Sequence, residues 1–385
     1  MSKKNKPALM SENEAFTLAK DIFEKNRYDK VLIDFLSFCL QAAPQDDEGR
    51  QNLYNLVHAK RLTPKEVVHY VLGMYYRSWK LNYYSPGILD HNQATDFLNN
   101  SFLLDVAELN KNPYLSTVKV DKEYKKGDVV LELVQRHCGE IMEYPLKDEN
   151  TKPDELLKTM VVGILDDDFK YPVLSYQDET WMTVTPNEIV TMQDDIQDMH
   201  GDICVFGLGL GYFAFMAGIK DNVSSITIID NNQDIIDLFN EHLLPQFPCK
   251  EKITIINSDA FEYMKSIKDG AYDCIYVDIW HSTKDVESYV KSRKSLSHLT
   301  TPLVRYWIEW RMINFLQSIA SLELSFRLFR KCGIPMPFDT THLDIFSVNW
   351  GCAYAKTISL MKSKDKVLKA LSYKSIYDAV VELDV

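Results

Sequence analysis

A glycine-rich loop is the first feature of this sequence that predicts chemistry. Gly207, Gly209 and Gly211 stand at alternate positions directly after an apolar run. Glycines let the backbone turn sharply, and they let a ligand approach where a Cβ atom would block it. The helix expected after the loop offers unpaired N–H groups at its first turn. The pattern therefore favours a nucleotide-like ligand held against this loop.

A carboxylate at the end of the next apolar run is placed to bind a sugar. Asp230 stands nineteen residues beyond Gly211, and Asn231 follows it. A carboxylate in that position accepts hydrogen bonds from the hydroxyls of a ribose. The alternative is that Asp230 caps the helix that begins near Gln233, since Asp is a common N-cap residue.

Two further carboxylates follow the third and fourth apolar runs. Asp259 and Ala260 follow the third run, where the carboxylate can accept a hydrogen bond from an adenine amino group. Asp278 follows the fourth run, and His281 stands three residues later. We expect Asp278 and His281 to supply acid–base chemistry. The structural alternatives are a helix cap for Asp259 and an ordinary loop position for His281.

Five strand-like runs, separated by helical segments, must position these groups. Such alternation predicts a parallel sheet with helices on both faces. In an open parallel sheet, ligands bind at the carboxyl ends of the strands, where all of the candidate residues stand. The expected fold class is therefore α/β, a Rossmann-like doubly wound parallel sheet. The predicted strands are Ile203–Phe206, Ser225–Ile229, Ile253–Ile256, Cys274–Val277 and Leu303–Trp307.

Three parts are predicted along the 385 residues. Residues 1–115 form a helical N-terminal domain, which includes a capping box at Thr63–Glu66 and a helix from about Gln93 to Leu109. Residues 116–185 form a small β-rich segment with a single antiparallel sheet. Residues 186–385 form the Rossmann-like domain with a helical C-terminal tail. The strand-like runs of the β-rich segment are Val161–Leu165, Tyr171–Tyr176 and Glu179–Val184.

The stretch from Trp181 to Trp280 resembles the class I S-adenosylmethionine-dependent methyltransferases and, more narrowly, their spermidine synthase-like branch. The lines that carry the resemblance are ICVFGLGLG, ITIIDNNQ, INSDAFEY and YDCIYVDIW. It implies S-adenosylmethionine as the cofactor, with the glycine loop at its amino acid part. It also implies that Asp230 holds the ribose and that Asp259 and Ala260 meet the adenine. A β-rich segment before the Rossmann part, which Val161–Val184 matches, is typical of the narrower branch.

Three positions bear on the reaction within this class. Most methyltransferases have an acid where Val205 stands, although the spermidine synthase branch is apolar there. True spermidine synthases have an Asp-x-x-Asp pair after the fourth strand, whereas here His281 replaces the second acid after Asp278.

The segment Thr185–Glu188 stands where that branch has a substrate-facing Gln-Glu segment. A ligand contact through Asn187 is one interpretation, and a capping box with proline at the first helical position is the favoured one for Thr185 and Glu188.

The sequence therefore favours methyl transfer to a small molecule or a protein over aminopropyl transfer to a polyamine. An NAD-dependent oxidoreductase is a second alternative, because Gly209–Ala214 fits the Gly-x-Gly-x-x-Ala fingerprint. The carboxylates Asp259 and Asp278 favour S-adenosylmethionine instead. A non-catalytic module that binds the cofactor without turnover is the third alternative.

Composition limits the partners and the compartment. The net charge of −12 repels phosphate backbones and anionic lipid, so neither nucleic acid nor membrane is expected as a partner, and a homodimer is allowed. Seven cysteines without a Cys-x-x-Cys pair predict free thiols in a reducing compartment. The segment Met1–Ala15 lacks the apolar core of a signal peptide, which favours the cytoplasm. The histidines show no ligand spacing, so no metal is expected.

Overall fold

The computed structural model describes residues 11–42, 46–82, 91–144, 161–334, 344–361 and 363–382. The elements before the central sheet are α1 (Glu12–Gln41), α2 (Asp47–Val57), α3 (Pro64–Asn82), α4 (His91–Asn100), β1 (Phe102–Leu104), α5 (Val106–Leu109), α6 (Pro113–Thr117), β2 (Tyr124–Lys126), β3 (Val129–Arg136), β4 (Ile141–Tyr144), β5 (Val161–Leu165), β6 (Phe169–Tyr176), β7 (Glu179–Thr183) and α7 (Pro186–Asp198). The elements from the sheet onward are β8 (Gly201–Phe206), α8 (Tyr212–Gly218), β9 (Val223–Asp230), α9 (Gln233–Leu238), β10 (Ile253–Asn257), α10 (Ala260–Ser266), β11 (Cys274–Val277), α11 (Val286–Leu296), β12 (Leu303–Tyr306), α12 (Glu309–Lys331), α13 (Ile345–Ile358), α14 (Lys364–Ala370) and α15 (Tyr373–Glu382).

A five-stranded parallel sheet in the order β10-β9-β8-β11-β12 forms the centre of the fold. All four residues of β11 are buried, and because side chains alternate along a strand, both faces of the sheet are covered there. In sequence order the strands run 3-2-1-4-5, so the order reverses between β8 and β11. The predicted fold class is confirmed, and the five strands begin and end within two residues of the predicted bounds.

The segment before this sheet contains two small sheets, so the expectation of a single antiparallel sheet is wrong. β5 lies between β1 and β4 in one sheet, and it runs parallel to β1. β6 and β7 join β2 and β3 in a second, antiparallel sheet. The chain passes from the first small sheet to the second through the acidic turn between β5 and β6. This turn is tied to the start of α5, because Asp166 Oδ1 accepts a hydrogen bond from the Val106 N–H at 2.9 Å.

The helix expected from Gln93 to Leu109 is also wrong. α4 ends at Asn100, the short strand β1 follows, and α5 begins at Val106. The apolar residues of β1 pair with β5, about sixty residues further along the chain. Tertiary pairing therefore overrides the local helical spacing here.

The N-terminal helices include the predicted cap of α3, and α1 packs into the main hydrophobic core. At the start of α3, the Glu66 carboxylate accepts a hydrogen bond from the Thr63 N–H at 2.7 Å, which confirms the capping box. Ala15, Leu18 and Ile22 of α1 belong to the same hydrophobic core as the central sheet. The boundaries at residues 115 and 185 stay predictions.

All seven cysteines are free, and five of them are buried. Among the described residues, no helix is both long enough and apolar enough to cross a bilayer.

Candidate functional site

A cavity of about 360 Å³ lies at the carboxyl ends of the central strands. The glycine loop, the ends of β9, β10 and β11, and the β6–β7 hairpin form its walls. Of the predicted cofactor-binding residues, those that line the cavity are Gly207, Gly209, Asp230, Asn231, Asp259, Ala260 and Asp278. Parallel strands meet at this edge of the sheet, which explains why residues far apart in sequence come together.

Gly211 does not line this cavity, in contrast to the prediction. It is the N-cap of α8 with φ +70°, and a Cβ atom there would clash with the ring of Phe239 in the core. A left-handed backbone and close packing require glycine at this position. Gly211 therefore shapes the turn behind the cavity.

Gly207 and Gly209 are required by the backbone conformation and the close packing of the loop. Both have positive φ, +96° and +49° respectively. A Cβ atom on Gly207 would clash with the carbonyl oxygen of Asp278, and one on Gly209 would clash with the sulfur of Met182. The loop is therefore held between the end of β11 and the β6–β7 hairpin.

Asp230 holds the glycine loop in position. Its Oδ2 accepts a hydrogen bond from the Leu208 N–H at 3.0 Å, and its Oδ1 accepts one from the Asn232 N–H at 2.8 Å. The helix α9 is capped by Asn232 and not by Asp230. Burial raises the pKa of Asp230, and these backbone N–H groups oppose that rise. Carboxylate oxygens have further lone pairs, so Asp230 can still accept bonds from ligand hydroxyls.

Asp259 caps a helix and also lines the cavity, and its contact with adenine stays a prediction. Its Oδ1 accepts a hydrogen bond from the Glu262 N–H at 2.9 Å and so caps α10. Asp259 and Ala260 also line the cavity beside Phe261. The cap therefore fixes the carboxylate at the cavity wall.

Asp278 faces both the cavity and a smaller void of about 20 Å³. The Asp278 residue is 9% exposed, and its Oδ1 has no hydrogen-bond partner among the described residues. The hydroxyl of Tyr276, which is 0% exposed, is likewise without a partner in the described chain and lines the void. Glu188 and Thr183 complete the polar part of the lining. A void of this size holds about one water molecule.

Glu188 caps α7 and also lines the small void together with Asp278. Its carboxylate accepts a hydrogen bond from the Thr185 N–H at 3.1 Å and one from the Thr183 hydroxyl, as a capping box requires. Burial nevertheless raises the pKa of Glu188 to about 7. Burial also raises the pKa of Asp278 well above its ordinary value, and the carboxylates of Glu188 and Asp195 raise it further. The capping signature alone did not indicate that Glu188 lies beside Asp278.

His281 lies outside the lining of the cavity, which argues against its predicted role as a base. Its ring makes an edge contact with Trp181, with 3.5 Å between ring centroids, and Trp181 in turn lines the cavity. Its Nδ1 lies 3.9 Å from Asp285 Oδ2. Burial lowers the pKa of His281, so the ring is mainly neutral near neutral pH. The side chain supports the β6–β7 hairpin.

A second cavity of about 520 Å³ lies next to the small void and shares Thr183 with it. Its lining includes the hydroxyl-bearing residues Tyr171, Ser175, Thr180, Thr183 and Thr185. Asn187 also lines this cavity, and its Oδ1 accepts a hydrogen bond from Arg311 at 2.8 Å. Asn187 therefore faces a cavity other than the one formed by the strand ends.

Comparison with known proteins gives matches to solved structures only. No protein-family model and no curated protein matches the chain. Spermidine synthase from Thermotoga maritima matches with 12% identity and a TM-score of 0.28 over 42% of this chain and 55% of that chain. A spermidine synthase in complex with the transition-state analogue AdoDATO matches with 13% identity and a TM-score of 0.28, again over 42% and 55%. A probable spermidine synthase from Corynebacterium glutamicum matches with 13% identity and a TM-score of 0.30 over 55% of this chain and 72% of that chain.

The chain thus spans about half the length of the first of these synthases. At such low TM-scores the likeness adds nothing to the assignment of the fold, which rests on the order and direction of the strands. That order, with the glycine loop after the first strand, defines a Rossmann-like doubly wound parallel sheet, as the sequence predicts.

Proposed function

We propose that this protein binds S-adenosylmethionine in the cavity at the strand ends and transfers its methyl group to a small polar acceptor. The observation that carries the proposal is the charge of the cavity. Asp230, Asp259 and Asp278 line it, and none of the described lining residues is Lys, Arg or His. Such a lining favours a ligand with positive charge.

The same lining argues against a dinucleotide. The diphosphate of NAD would bring two negative charges to a cavity with three carboxylates and no cation in its lining. The Leu208 N–H of the glycine loop donates to Asp230, so it is not free for a phosphate oxygen. S-adenosylmethionine instead carries a sulfonium and an ammonium group against a single carboxylate, so its net positive charge suits these acids.

The residues of the cavity have separate roles in the proposal. Asp230 accepts hydrogen bonds from the ribose hydroxyls, and Asp259 accepts one from the adenine amino group beside Phe261. The bound sulfonium makes the methyl group electrophilic, so the protein mainly has to align the acceptor. Asp278 faces the reacting end and attracts the positive charge.

The second cavity supports a small polar molecule as the acceptor. Its volume is ordinary for a small-molecule site, and its lining is rich in hydroxyl groups. Through Thr183 it adjoins the void that contains Glu188 and Asp278. An acceptor held there is close to carboxylates that can take up its proton.

Calorimetric titration with S-adenosylmethionine and with NAD tests the cofactor. We expect binding of S-adenosylmethionine and none of NAD, because only the former matches the charge of the cavity. Binding of NAD alone would overturn the proposal. Mass spectrometry of any ligand retained by the purified protein gives an independent reading of the same point.

One observation favours aminopropyl transfer as a second candidate function. The sequence lacks the second acid after Asp278, but Glu188 lies on the same small void and supplies another carboxylate. Two acids can attract a polyamine and accept a proton from it. Incubation with decarboxylated S-adenosylmethionine and putrescine separates the candidates: methyl transfer predicts no methylthioadenosine, whereas its formation at about 1 per second or faster supports aminopropyl transfer.

A further inference from the structure

We propose that Glu188 and Asp278 form a carboxyl pair at the small void that holds one proton between them, and that a cationic ligand in the adjoining cavity displaces this proton. The inference rests on the proposed function, because the cation concerned is the sulfonium-bearing cofactor. It assigns Glu188 a role in distinguishing the cofactor from its product, in addition to its role as a helix cap.

The geometry of the small void places the two carboxyl groups together. Glu188 and Asp278 both line it, and Asp278 also lines the 360 Å³ cavity. Asp278 Oδ1 has no partner among the described residues although the residue is only 9% exposed. Two ionised carboxylates that share a nearly dry void repel each other, so the pair retains a proton until another positive charge arrives.

The groups that surround the pair do not neutralise it. From β11, the Tyr276 hydroxyl faces the void. From β7, the Thr183 hydroxyl donates to Glu188. From α7, the partly buried Asp195 adds a third acid, and within the described part of the chain the cation that bears on it is Arg305 of β12, at 3.8 Å. Arg305 also pairs with Asp198 at 2.7 Å, so its charge is directed away from the void.

The acidity of these groups agrees with a shared proton near neutral pH. Burial raises the pKa of Glu188 to about 7 and that of Asp278 well above its ordinary value. A nearby cation favours the ionised form of a carboxyl group and therefore lowers its pKa. Binding of a cation near pH 7 must then release a proton to solvent, and the affinity for that cation must rise as the pH rises through this range.

The charge change of the reaction gives this linkage a function. When the methyl group leaves, the sulfonium of S-adenosylmethionine becomes the neutral thioether of S-adenosylhomocysteine. With the positive charge gone, Glu188 and Asp278 take up one proton again, from the acceptor or from solvent. The pair therefore binds the charged cofactor in preference to its product.

Calorimetry in two buffers of different protonation enthalpy measures the protons released on binding. At pH 7 we expect S-adenosylmethionine to release close to one proton and S-adenosylhomocysteine to release less than half of that. Glu188→Gln should bind S-adenosylmethionine and release less than half of the wild-type number of protons. The amide oxygen of glutamine can still accept the capping bonds, so this variant is expected to fold, and Glu251→Gln is the matched control at an exposed acid.

Tyr276→Phe is a second variant, which removes only the hydroxyl that faces the void. That hydroxyl has no partner among the described residues, so we expect this variant to release close to the wild-type number of protons on binding. Equal proton release by both ligands, or binding without proton release, would overturn the inference and leave the cofactor assignment intact. If neither ligand binds the folded wild-type protein, the proposed function itself fails.

Discussion

At the scale of single residues, Asp230 joins the glycine loop to the expected ribose site. Its two oxygens accept bonds from Leu208 and Asn232, so the same carboxylate orders the loop and faces the cavity. The sequence left open whether Asp230 binds a ligand or caps a helix. The structure assigns the cap of α9 to Asn232, which leaves Asp230 for the cavity.

Replacement of Asp230 tests the ribose contact. We expect Asp230→Ala to weaken S-adenosylmethionine binding by about 1.5–3 kcal/mol, because hydrogen bonds to a charged group are lost. Calorimetry measures the change in Kd. Asp202→Ala is the matched control, because Asp202 is an exposed carboxylate at the opposite end of the sheet and should leave affinity unchanged. Equal affinities of the folded Asp230 variant and wild type would show that the ribose lies elsewhere.

At the scale of elements, the glycine loop depends on the hairpin that covers it. Gly209 has positive φ, and its backbone lies against the Met182 side chain of β7. Trp181 of the same hairpin contacts His281 after β11. The loop, the hairpin and the end of β11 therefore form one wall of the cavity, and a change in one of them must move the others.

Gly209→Val is expected to abolish detectable S-adenosylmethionine binding while most of the fold remains. The new side chain cannot occupy the space of Met182, so it displaces the hairpin or enters the cavity. Gly270→Val controls for backbone strain: Gly270 also has positive φ, +80°, but a Cβ atom there meets nothing within 4 Å. Both variants carry a strain of about 1–2 kcal/mol. Loss of binding in both, measured by calorimetry, would attribute the effect to strain and contradict the role of the Met182 contact.

The elements that the sequence predicted well are those with a strong local signal. Most strands of the central sheet are apolar runs with Gly, Asn or Asp at or next to one end, and their parallel arrangement follows from the repeated alternation of strand and helix. The three-residue strand β1 has no such signal, because only its pairing with the distant β5 makes it a strand. The shared void of Glu188 and Asp278 also lacks a local sequence signal. It depends on how the start of α7 is placed relative to the end of β11.

At the scale of the whole molecule, the two ends of the chain stabilise each other around the sheet. Residues of α1 share a core with α12, and Phe23 makes edge contacts with Phe326 and Phe329. Trp350 of α13 lies fully buried in that same core. The helices outside the Rossmann sheet therefore contribute to the stability of the part that carries the site.

The buried acids make the stability of the whole protein depend on pH. Burial raises the pKa of Glu188 from 4.5 to about 7, so the folded state binds more protons than the unfolded state between these values. The contribution of Glu188 to the free energy of unfolding must then fall as the pH rises from about 4.5 to about 7, and this contribution levels off above that range. Glutamine is neutral at every pH, so Glu188→Gln removes this contribution. As the pH rises from 5 to 8, we expect the free energy of unfolding to fall less in the variant than in wild type, by up to about 3 kcal/mol. Thermal and urea unfolding followed by circular dichroism at several pH values measure this difference, with Glu251→Gln as the control at an exposed acid. Parallel pH profiles for wild type and Glu188→Gln would mean that Glu188 is ionised in the folded protein, and the shared proton with Asp278 would then be excluded as well.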